Sequence, residues 1–135
     1  MFLRKVVFVE QEKIVLVGVT DIFFYTKIRD AFKPAGYGLK RVKSPDDILE
    51  KSKAQAPTAI VLNMNDPGLD ATTLLKTAKS ETALNRVPVL AFANHEEIDT
   101  WRQAKELGID KIVSRNEFSA RTLALLQEVT QPRPA

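Results

Sequence analysis

The sequence predicts an α/β fold, a doubly wound three-layer sandwich in which helices cover both faces of a five-stranded parallel sheet. Short β-branched runs alternate with longer stretches of helical periodicity, which is the pattern of such a sheet. The clearest runs are continuously apolar, as expected for strands that are buried on both faces. The 135 residues suit one domain, and an apolar content of 44% is enough to fill its core.

The first βα unit is the clearest. Residues 14–19 form an unbroken apolar run and predict the first strand, and residues 22–33 have the three-and-four spacing of an amphipathic helix. Pro34 and Gly36 then end that helix. Residues 37–42 predict a second strand, and its more polar composition places it at an edge of the sheet.

The second helix has a strong start signal, because Ser44 can cap it and Pro45 fits its first turn. We predict that it closes near Gln55. Residues 58–63 predict the third strand, which ends in a loop with the turn sequence Asp-Pro-Gly, and the third helix follows at residues 71–80.

The last two units are shorter. Residues 88–93 predict the fourth strand and residues 96–107 the fourth helix, which Gly108 stops. Residues 111–114 predict the fifth strand, and Ser119 is predicted to cap the last helix. The inward stripe of that helix is predicted to be Leu123, Leu126 and Val129.

Composition excludes several classes of function. The absence of cysteine excludes a disulfide framework, a thiolate zinc site, an iron–sulfur cluster and a cysteine nucleophile. The net charge of +3 is too small and too well mixed to indicate a nucleic-acid binder. The apolar runs at residues 14–19 and 59–62 are too short to cross a bilayer, and no signal peptide is visible. These observations predict a soluble, cytoplasmic protein that does not insert into membranes.

Three segments together resemble the receiver domain of bacterial two-component response regulators. Residues 58–70 are similar to the family's third strand and its Met-Pro-Gly-x-Asp-Gly loop, residues 88–93 resemble its fourth strand, and residues 106–112 resemble its Gly-Ala-Asp-x-Tyr turn. The resemblance covers nearly all of residues 13–129. It implies a flavodoxin-like or CheY-like fold with strand order 2-1-3-4-5, in a receiver-like domain over residues 13–130.

The resemblance also implies where phosphorylation chemistry would lie. In the family, an acid pair after the first strand holds magnesium, an aspartate ending the third strand accepts the phosphoryl group, and a hydroxyl residue and a lysine follow on the fourth and fifth strands. The corresponding positions here do not carry these groups. The acid pair corresponds to Gly18 and Val19 or to Val19 and Thr20, and the acceptor aspartate corresponds to Asn63. Ala93 stands in place of the hydroxyl residue and Arg115 in place of the lysine. A neutral amide is not a carboxylate nucleophile, so we expect no phosphorylation, no metal and no cofactor.

Several side chains near this crevice have two interpretations. Asn63 either bridges the loops after the first and fourth strands or only caps a strand end. Arg115 either donates to Asp66, Asp21 or the Asn63 carbonyl, or is a solvated surface arginine. Asp21 is predicted to be an N-cap, and His95 is predicted to be exposed without a catalytic role.

Two surfaces are candidates for protein contacts. Trp101 on the fourth helix, with Lys105, Lys111 and Ile112 nearby, would make an apolar anchor with a polar rim, unless Trp101 belongs to the core. Residues 23–25 are three consecutive aromatics, more than one buried face can hold, so at least one of them should point outward or into the crevice.

The resulting hypothesis is a pseudo-receiver, a non-enzymatic, phosphorylation-independent module for protein–protein recognition in bacterial signal transduction or cell organisation. The partner would bind the face formed by the fourth helix, the fifth strand and the last helix. Residues 1–12 have strand-like composition and would form an extra strand or a dimerisation arm, and residues 131–135 read as a linker or tail.

Two alternatives belong to other classes. A nucleic-acid accessory domain is suggested by the basic stretches at residues 40–43 and 4–5, although the modest net charge argues against it. An atypical phosphoacceptor would need Asp66 or Asp21 to replace the missing nucleophile.

Overall fold

The apolar segments of the sequence form a five-stranded parallel sheet in the order β2-β1-β3-β4-β5, as predicted. The computed structural model describes residues 13–131, so the predicted arm at residues 1–12 and nearly all of the predicted tail lie outside it. The strands are β1 (Lys13–Gly18), β2 (Tyr37–Arg41), β3 (Ala59–Asn63), β4 (Val89–Ala93) and β5 (Lys111–Ser114). The more polar β2 lies at an edge of the sheet, where the sequence places it.

Helices cover both faces of this sheet. They are α1 (Ile22–Phe32), which continues into a short 3-10 turn (Lys33–Ala35), α2 (Pro45–Ala54), α3 (Ala71–Ser80), α4 (Ile98–Glu106), α5 (Arg115–Ala120) and α6 (Thr122–Thr130). No helix within residues 13–131 is long and apolar enough to cross a membrane.

Most of the predicted start and stop signals operate as expected. The Asp21 carboxylate caps α1 by accepting from the backbone N–H groups of Phe23 and Phe24. Ser44 caps α2 in the same way, accepting from the Asp47 N–H. Gly36 and Gly108 both have positive φ angles, 93° and 85°, which a glycine adopts at little steric cost.

The predicted start of the C-terminal helix is wrong. Ser114, not Ser119, accepts from the Glu117 N–H and caps α5, and the helix breaks at Arg121, where φ is −131° and ψ is 36°. Ser119 therefore lies inside α5 and cannot be a cap. The break also changes which face of α6 is buried, because Leu125 and Leu126 are buried. Of the predicted stripe, only Leu126 is fully buried, while Leu123 and Val129 are half-buried.

This correction has a direct test. Ser114→Ala should lower the free energy of unfolding by about 1 kcal/mol, because it leaves an N-terminal backbone N–H of α5 without its side-chain acceptor. Ser119→Ala is the matched control and should change it by less than about 0.5 kcal/mol. Urea denaturation of both variants measures the difference. A larger loss of unfolding free energy for Ser119→Ala than for Ser114→Ala would contradict this correction and support Ser119 as the cap.

Two apolar cores lie on opposite faces of the sheet. One packs the sheet against α2, α3 and α4. The other packs it against α1, α5 and α6, and it contains a cluster of three phenylalanines. The Phe24 ring centroid lies 5.0 Å from that of Phe92 and 5.9 Å from that of Phe118, both edge-on, and the rings of Phe92 and Phe118 stack at 4.4 Å. As a result, α1 and α4 present their outer surfaces on opposite sides of the molecule.

Candidate functional site

The candidate site is the crevice at the carboxyl edge of the sheet. The strand register brings the ends of β1, β3, β4 and β5 to this one edge, since Gly18 pairs with Leu62, Asn63 with Phe92 and Ala93 with Ser114. The six positions that the resemblance singles out, Gly18, Val19, Thr20, Asn63, Ala93 and Arg115, all lie at the ends of these strands or directly after them.

Three of these positions serve packing. Val19 and Ala93 are buried apolar side chains. Gly18 is closely packed, because a Cβ placed on it would lie 2.7 Å from Cδ2 of Leu62. These residues offer no polar side-chain group to the crevice, and Gly18 allows the end of β1 to pack closely against Leu62 of β3.

Thr20 and Asp66 form the tightest polar contact of the crevice. The Asp66 carboxylate is only 6% exposed and accepts from the Thr20 backbone N–H at 2.7 Å and from the Thr20 hydroxyl at 2.5 Å. It also accepts from the Gly68 N–H at 2.8 Å. Both carboxylate oxygens are therefore engaged, and the loop after β1 is tied to the loop after β3.

Neighbouring groups hold Thr20 from its other sides. A Cβ on Gly68 would lie 2.8 Å from both Cγ2 and Oγ1 of Thr20, so a larger residue would push the two loops apart. The Arg41 guanidinium donates to the Thr20 carbonyl at 3.0 Å and lies over the Tyr25 ring. Burial raises the pKa of the Tyr25 phenol, against the opposing effect of the Arg41 charge.

Asn63 follows the simpler of its two interpretations. It is buried, and its Oδ1 accepts from the Asn65 N–H at 3.0 Å, which makes a local turn at the strand end. Asn65 forms the bridge between loops instead, because its Oδ1 accepts from the Asn94 N–H at 2.7 Å. Its Nδ2 also donates to the Thr100 hydroxyl on α4 at 3.4 Å.

Trp101 contributes to the same connection. Its indole Nε1–H donates to the Asn94 carbonyl at 3.0 Å, and its ring is half-buried against the core under α4. Ile112 is half-buried against that same core. Asn94 is thus held through both its N–H and its carbonyl, so Trp101 is a structural clamp as well as a surface residue.

Arg115 does not make the ion pair that the sequence suggests. Its guanidinium lies 4.4 Å from the Phe24 ring centroid. Two of the suggested partners have other contacts, since Asp66 is bound by Thr20 and Asp21 caps α1. Among residues 13–131, no carboxylate lies within ion-pair distance of Arg115, which is a surface arginine held by an aromatic ring.

A polar cavity of about 310 Å³ opens beside Arg115. It is lined by Asn94, His95, Glu96, Glu97, Ser114, Arg115 and Asn116. His95 is exposed, and its Nε2 lies 3.8 Å from the Glu96 carboxylate. In the part of the chain that the structure describes, no three His, Asp or Glu side chains cluster closely enough to hold a metal ion.

The same architecture occurs in solved response-regulator structures. The chain superposes on the chemotaxis protein CheY4 of Vibrio cholerae with a TM-score of 0.75 and 17% identity, covering 88% of this chain and 99% of that one. For the receiver domain of the Pseudomonas aeruginosa sensor histidine kinase PA1611, the TM-score is 0.74 and the identity 17%, with 89% and 98% covered. For the phosphorylated cyanobacterial phytochrome response regulator RcpA, the TM-score is 0.68 and the identity 19%, covering 89% of this chain and 90% of that one.

The chain has the receiver-domain fold. The sequence matches no protein-family model, and no curated protein sequence matches it. At identities this low, the similarity shows the fold alone. In open α/β sheets of this kind, ligands bind outside the carboxyl ends of the strands, which is where the crevice of this chain lies.

The other candidate surface of the receiver fold, the α4–β5 face, comprises Trp101, Lys105, Lys111 and Ile112. Lys105 is exposed, whereas the Lys111 ammonium pairs with the Glu128 carboxylate on α6 at 3.1 Å. Hydrogen bonds from Arg121 and then from Lys111 hold the pKa of Glu128 below its usual value. The face thus combines a half-buried apolar centre with a charged rim, in which Lys111 is paired and Lys105 is exposed.

Sequence reasoning missed the Thr20–Asp66 contact, although it named both residues. The sequence presents Thr20 as a position without the family's carboxylate, and Asp66 as a partner of Arg115 or a replacement nucleophile. The Asp-Pro-Gly turn is the one local signal, because an aspartate there often accepts from the backbone N–H two residues later, as Asp66 does from Gly68.

Proposed function

We propose that this chain is a phosphorylation-independent pseudo-receiver, a non-enzymatic module for protein–protein recognition in bacterial signal transduction or cell organisation. One observation carries the proposal. The strand end where a receiver would need its acceptor carboxylate holds the buried amide of Asn63, and the nearby Asp66 carboxylate already accepts three hydrogen bonds.

The chemistry of phosphoryl transfer supports this proposal. Transfer to the protein needs a carboxylate nucleophile, and the developing charge needs a cation close by. Magnesium prefers anionic oxygen ligands in near-octahedral geometry. Gly18 and Val19 bring no such oxygen, and Thr20 brings a hydroxyl that already donates to Asp66. A nucleophilic Asp66 would have to attack with a carboxylate that already accepts three hydrogen bonds at its roughly four lone-pair sites.

The contacts of the crevice suggest how such a module works. Asp66 ties the β1 loop to the β3 loop, and Asn65 and Trp101 together fix Asn94 at the start of the β4–α4 loop. With these three loops joined by hydrogen bonds to the Asp66 carboxylate and to uncharged groups, the α4–β5 face would keep one arrangement. A partner would then recognise its shape and charge without a phosphorylation signal.

A nuclear magnetic resonance experiment tests the absence of a switch. Uniformly ¹⁵N-labelled protein is mixed with Mg²⁺ and acetyl phosphate, and the amide resonances of Lys105, Lys111 and Ile112 are followed. We expect these resonances to stay where they are, because no acceptor carboxylate is available. Displacement of all three by the phosphodonor, but not by Mg²⁺ with acetate, would contradict the proposal.

A capture experiment tests the recognition face. Lys105→Glu is the better variant, because Trp101 is tied to Asn94 and its replacement would disturb the fold. We expect a protein partner to be retained by the wild type and by the control Lys33→Glu but lost with Lys105→Glu. Retention that disappears on nuclease treatment would instead support the nucleic-acid alternative, and equal capture by all three forms would remove the α4–β5 face from the proposal.

A further inference from the structure

The cavity beside Arg115, called the Arg115 cavity below, brings charges of both signs to one small volume. It lies between the β4–α4 loop and the start of α5 and measures about 310 Å³, at the lower end of the range for ligand sites in proteins. Its lining within residues 13–131 includes one permanent cation, Arg115, and two carboxylates, those of Glu96 and Glu97. Such a lining suits a ligand that is itself small and charged.

The Arg115 guanidinium is ready to accept a carboxylate. It makes no hydrogen bond or ion pair within residues 13–131, and it lies 4.4 Å from the Phe24 ring centroid. Its planar set of N–H donors matches the two oxygens of a carboxylate. Because the ring already restricts the guanidinium, little side-chain freedom is lost when a carboxylate binds.

The acidic side of the cavity is equally available. Glu97 directly precedes α4, and its exposed carboxylate has neither a hydrogen-bond donor nor a cation beside it in the part of the chain that the structure describes. The Glu96 carboxylate faces the His95 Nε2 at 3.8 Å, a contact that contributes little between such exposed side chains. An ammonium group in the cavity would therefore find an unpaired carboxylate at Glu97.

Uncharged groups complete the lining. The Ser114 oxygen accepts from the Glu117 N–H, which leaves its own O–H free to donate. The side-chain amides of Asn94 and Asn116 make no hydrogen bond within residues 13–131. Each amide has two donor hydrogens and an acceptor oxygen, so it can serve either end of a charged ligand.

We propose that the Arg115 cavity binds a small organic zwitterion, a molecule that carries one carboxylate and one ammonium group, as amino acids do. Arg115 binds the carboxylate and Glu97 binds the ammonium group, while the amides of Asn94 and Asn116 hydrogen-bond to the ligand from the sides of the cavity. Binding involves no covalent step.

The lining favours a zwitterion over a ligand with a single charge. An anion beside Arg115 would also meet the carboxylates of Glu96 and Glu97 across the cavity, and a cation beside Glu97 would meet the Arg115 guanidinium. A zwitterion gains from both ends and leaves neither charge of the protein facing its like.

The cavity is connected to the α4–β5 face through Asn94. Asn94 lines the cavity, and its carbonyl accepts from the indole N–H of Trp101, the single tryptophan of the chain. A ligand that moves Asn94 would change the environment of Trp101. An effect of the ligand on partner recognition at that face rests on the proposed function, whereas the binding itself does not.

A nuclear magnetic resonance titration of the full chain tests the binding. Glycine, 4-aminobutanoate and 6-aminohexanoate are each added to ¹⁵N-labelled protein and compared with the carboxylate and the amine of the same chain length. We expect at least one zwitterion to displace the amide resonances of Asn94, Glu97 and Asn116 and the Trp101 indole N–H resonance, with a Kd of about 1 mM or below. The matching carboxylate and amine should each bind at least about tenfold more weakly.

Charge-neutralising variants locate the two ends of the ligand. Arg115→Gln and Glu97→Gln should each weaken that zwitterion by about tenfold or more. Glu106→Gln is the matched control, because it removes the same charge from an exposed position at the other end of α4. It should change the Kd by less than about twofold.

Three outcomes would overturn the proposal. The first is that no zwitterion displaces these resonances at up to about 10 mM. The second is that the carboxylate or the amine alone binds as tightly as its zwitterion, which would reduce the cavity to a site for a simple ion. The third is an equal loss of affinity in Glu97→Gln and Glu106→Gln, which would indicate only the overall charge. No phosphodonor is present, so failure here is distinguishable from failure of the proposed function.

Discussion

Asp66→Ala is expected to lower the free energy of unfolding by about 3 to 5 kcal/mol. The substitution removes a buried carboxylate that accepts three hydrogen bonds, and it leaves the backbone N–H groups of Thr20 and Gly68 without their acceptor. Hydrogen bonds to charged groups contribute more than neutral ones, and the half-buried Thr20 N–H loses its acceptor. Urea denaturation of the wild type and the variant measures the loss.

Two further variants separate the contact from general effects. Asp30→Ala removes an exposed carboxylate and should change the free energy of unfolding by less than about 0.5 kcal/mol. Thr20→Val removes only the hydroxyl donor, and a double-mutant cycle with Asp66→Ala should give a coupling energy above about 1 kcal/mol. Additive effects of the two substitutions would show that Thr20 and Asp66 do not stabilise each other.

Phe24→Ala is expected to lower the free energy of unfolding by about 3 to 5 kcal/mol. Phe24 is buried edge-on against the stacked rings of Phe92 and Phe118, so its truncation leaves a cavity in the core under α1. It also removes the ring on which the Arg115 guanidinium lies. Calorimetry or urea denaturation gives the stability, and the Arg115 side-chain Nε–H resonance reports whether the guanidinium gains mobility.

The adjacent residue provides the matched control for this prediction. Phe23→Ala removes the same side chain from the next position, where it is 85% exposed, and should change the free energy of unfolding by less than about 0.5 kcal/mol. Comparable losses for Phe23→Ala and Phe24→Ala would contradict the assignment of which ring is buried and which is free for contact.

The fold was predictable because its signals are local or follow from burial. In a domain of this size, the favoured structure for an apolar run such as residues 14–19 is a strand that is covered on both faces. The caps at Asp21 and Ser44 need only a short polar side chain at a helix start. The error at Ser119 arose from the same rule, since Ser114 and Ser119 both precede helical sequence and only burial of Phe118 and the break at Arg121 distinguish them.

The crevice was only partly predictable. The residue types at the six singled-out positions could be read directly, including the amide at Asn63. Which side chains meet could not, because Thr20 and Asp66 are 46 residues apart and Asn65 and Asn94 are 29 apart. Such contacts depend on loop conformations that periodicity does not specify. Trp101 shows the same limit, because its indole N–H bonds to a backbone carbonyl that no sequence pattern indicates.

Together, these contacts describe a receiver fold whose crevice is occupied by its own side chains. Asp66 is held by Thr20 and Gly68, and Asn94 is held by Asn65 and Trp101. A phosphoryl group arriving at Asn63 would find neither a carboxylate to attack it nor a free acidic ligand set for magnesium. The proposed independence from phosphorylation follows from these same contacts.

Intact-mass spectrometry tests that independence most directly. The full chain is incubated with Mg²⁺ and acetyl phosphate, with RcpA, whose phosphorylated form has been solved, as the positive control in the same buffer. We predict that RcpA gains the mass of one phosphoryl group while the mass of this chain stays unchanged. A gain of one phosphoryl group that is lost in Asp66→Asn would contradict the proposed function and identify Asp66 as a replacement acceptor.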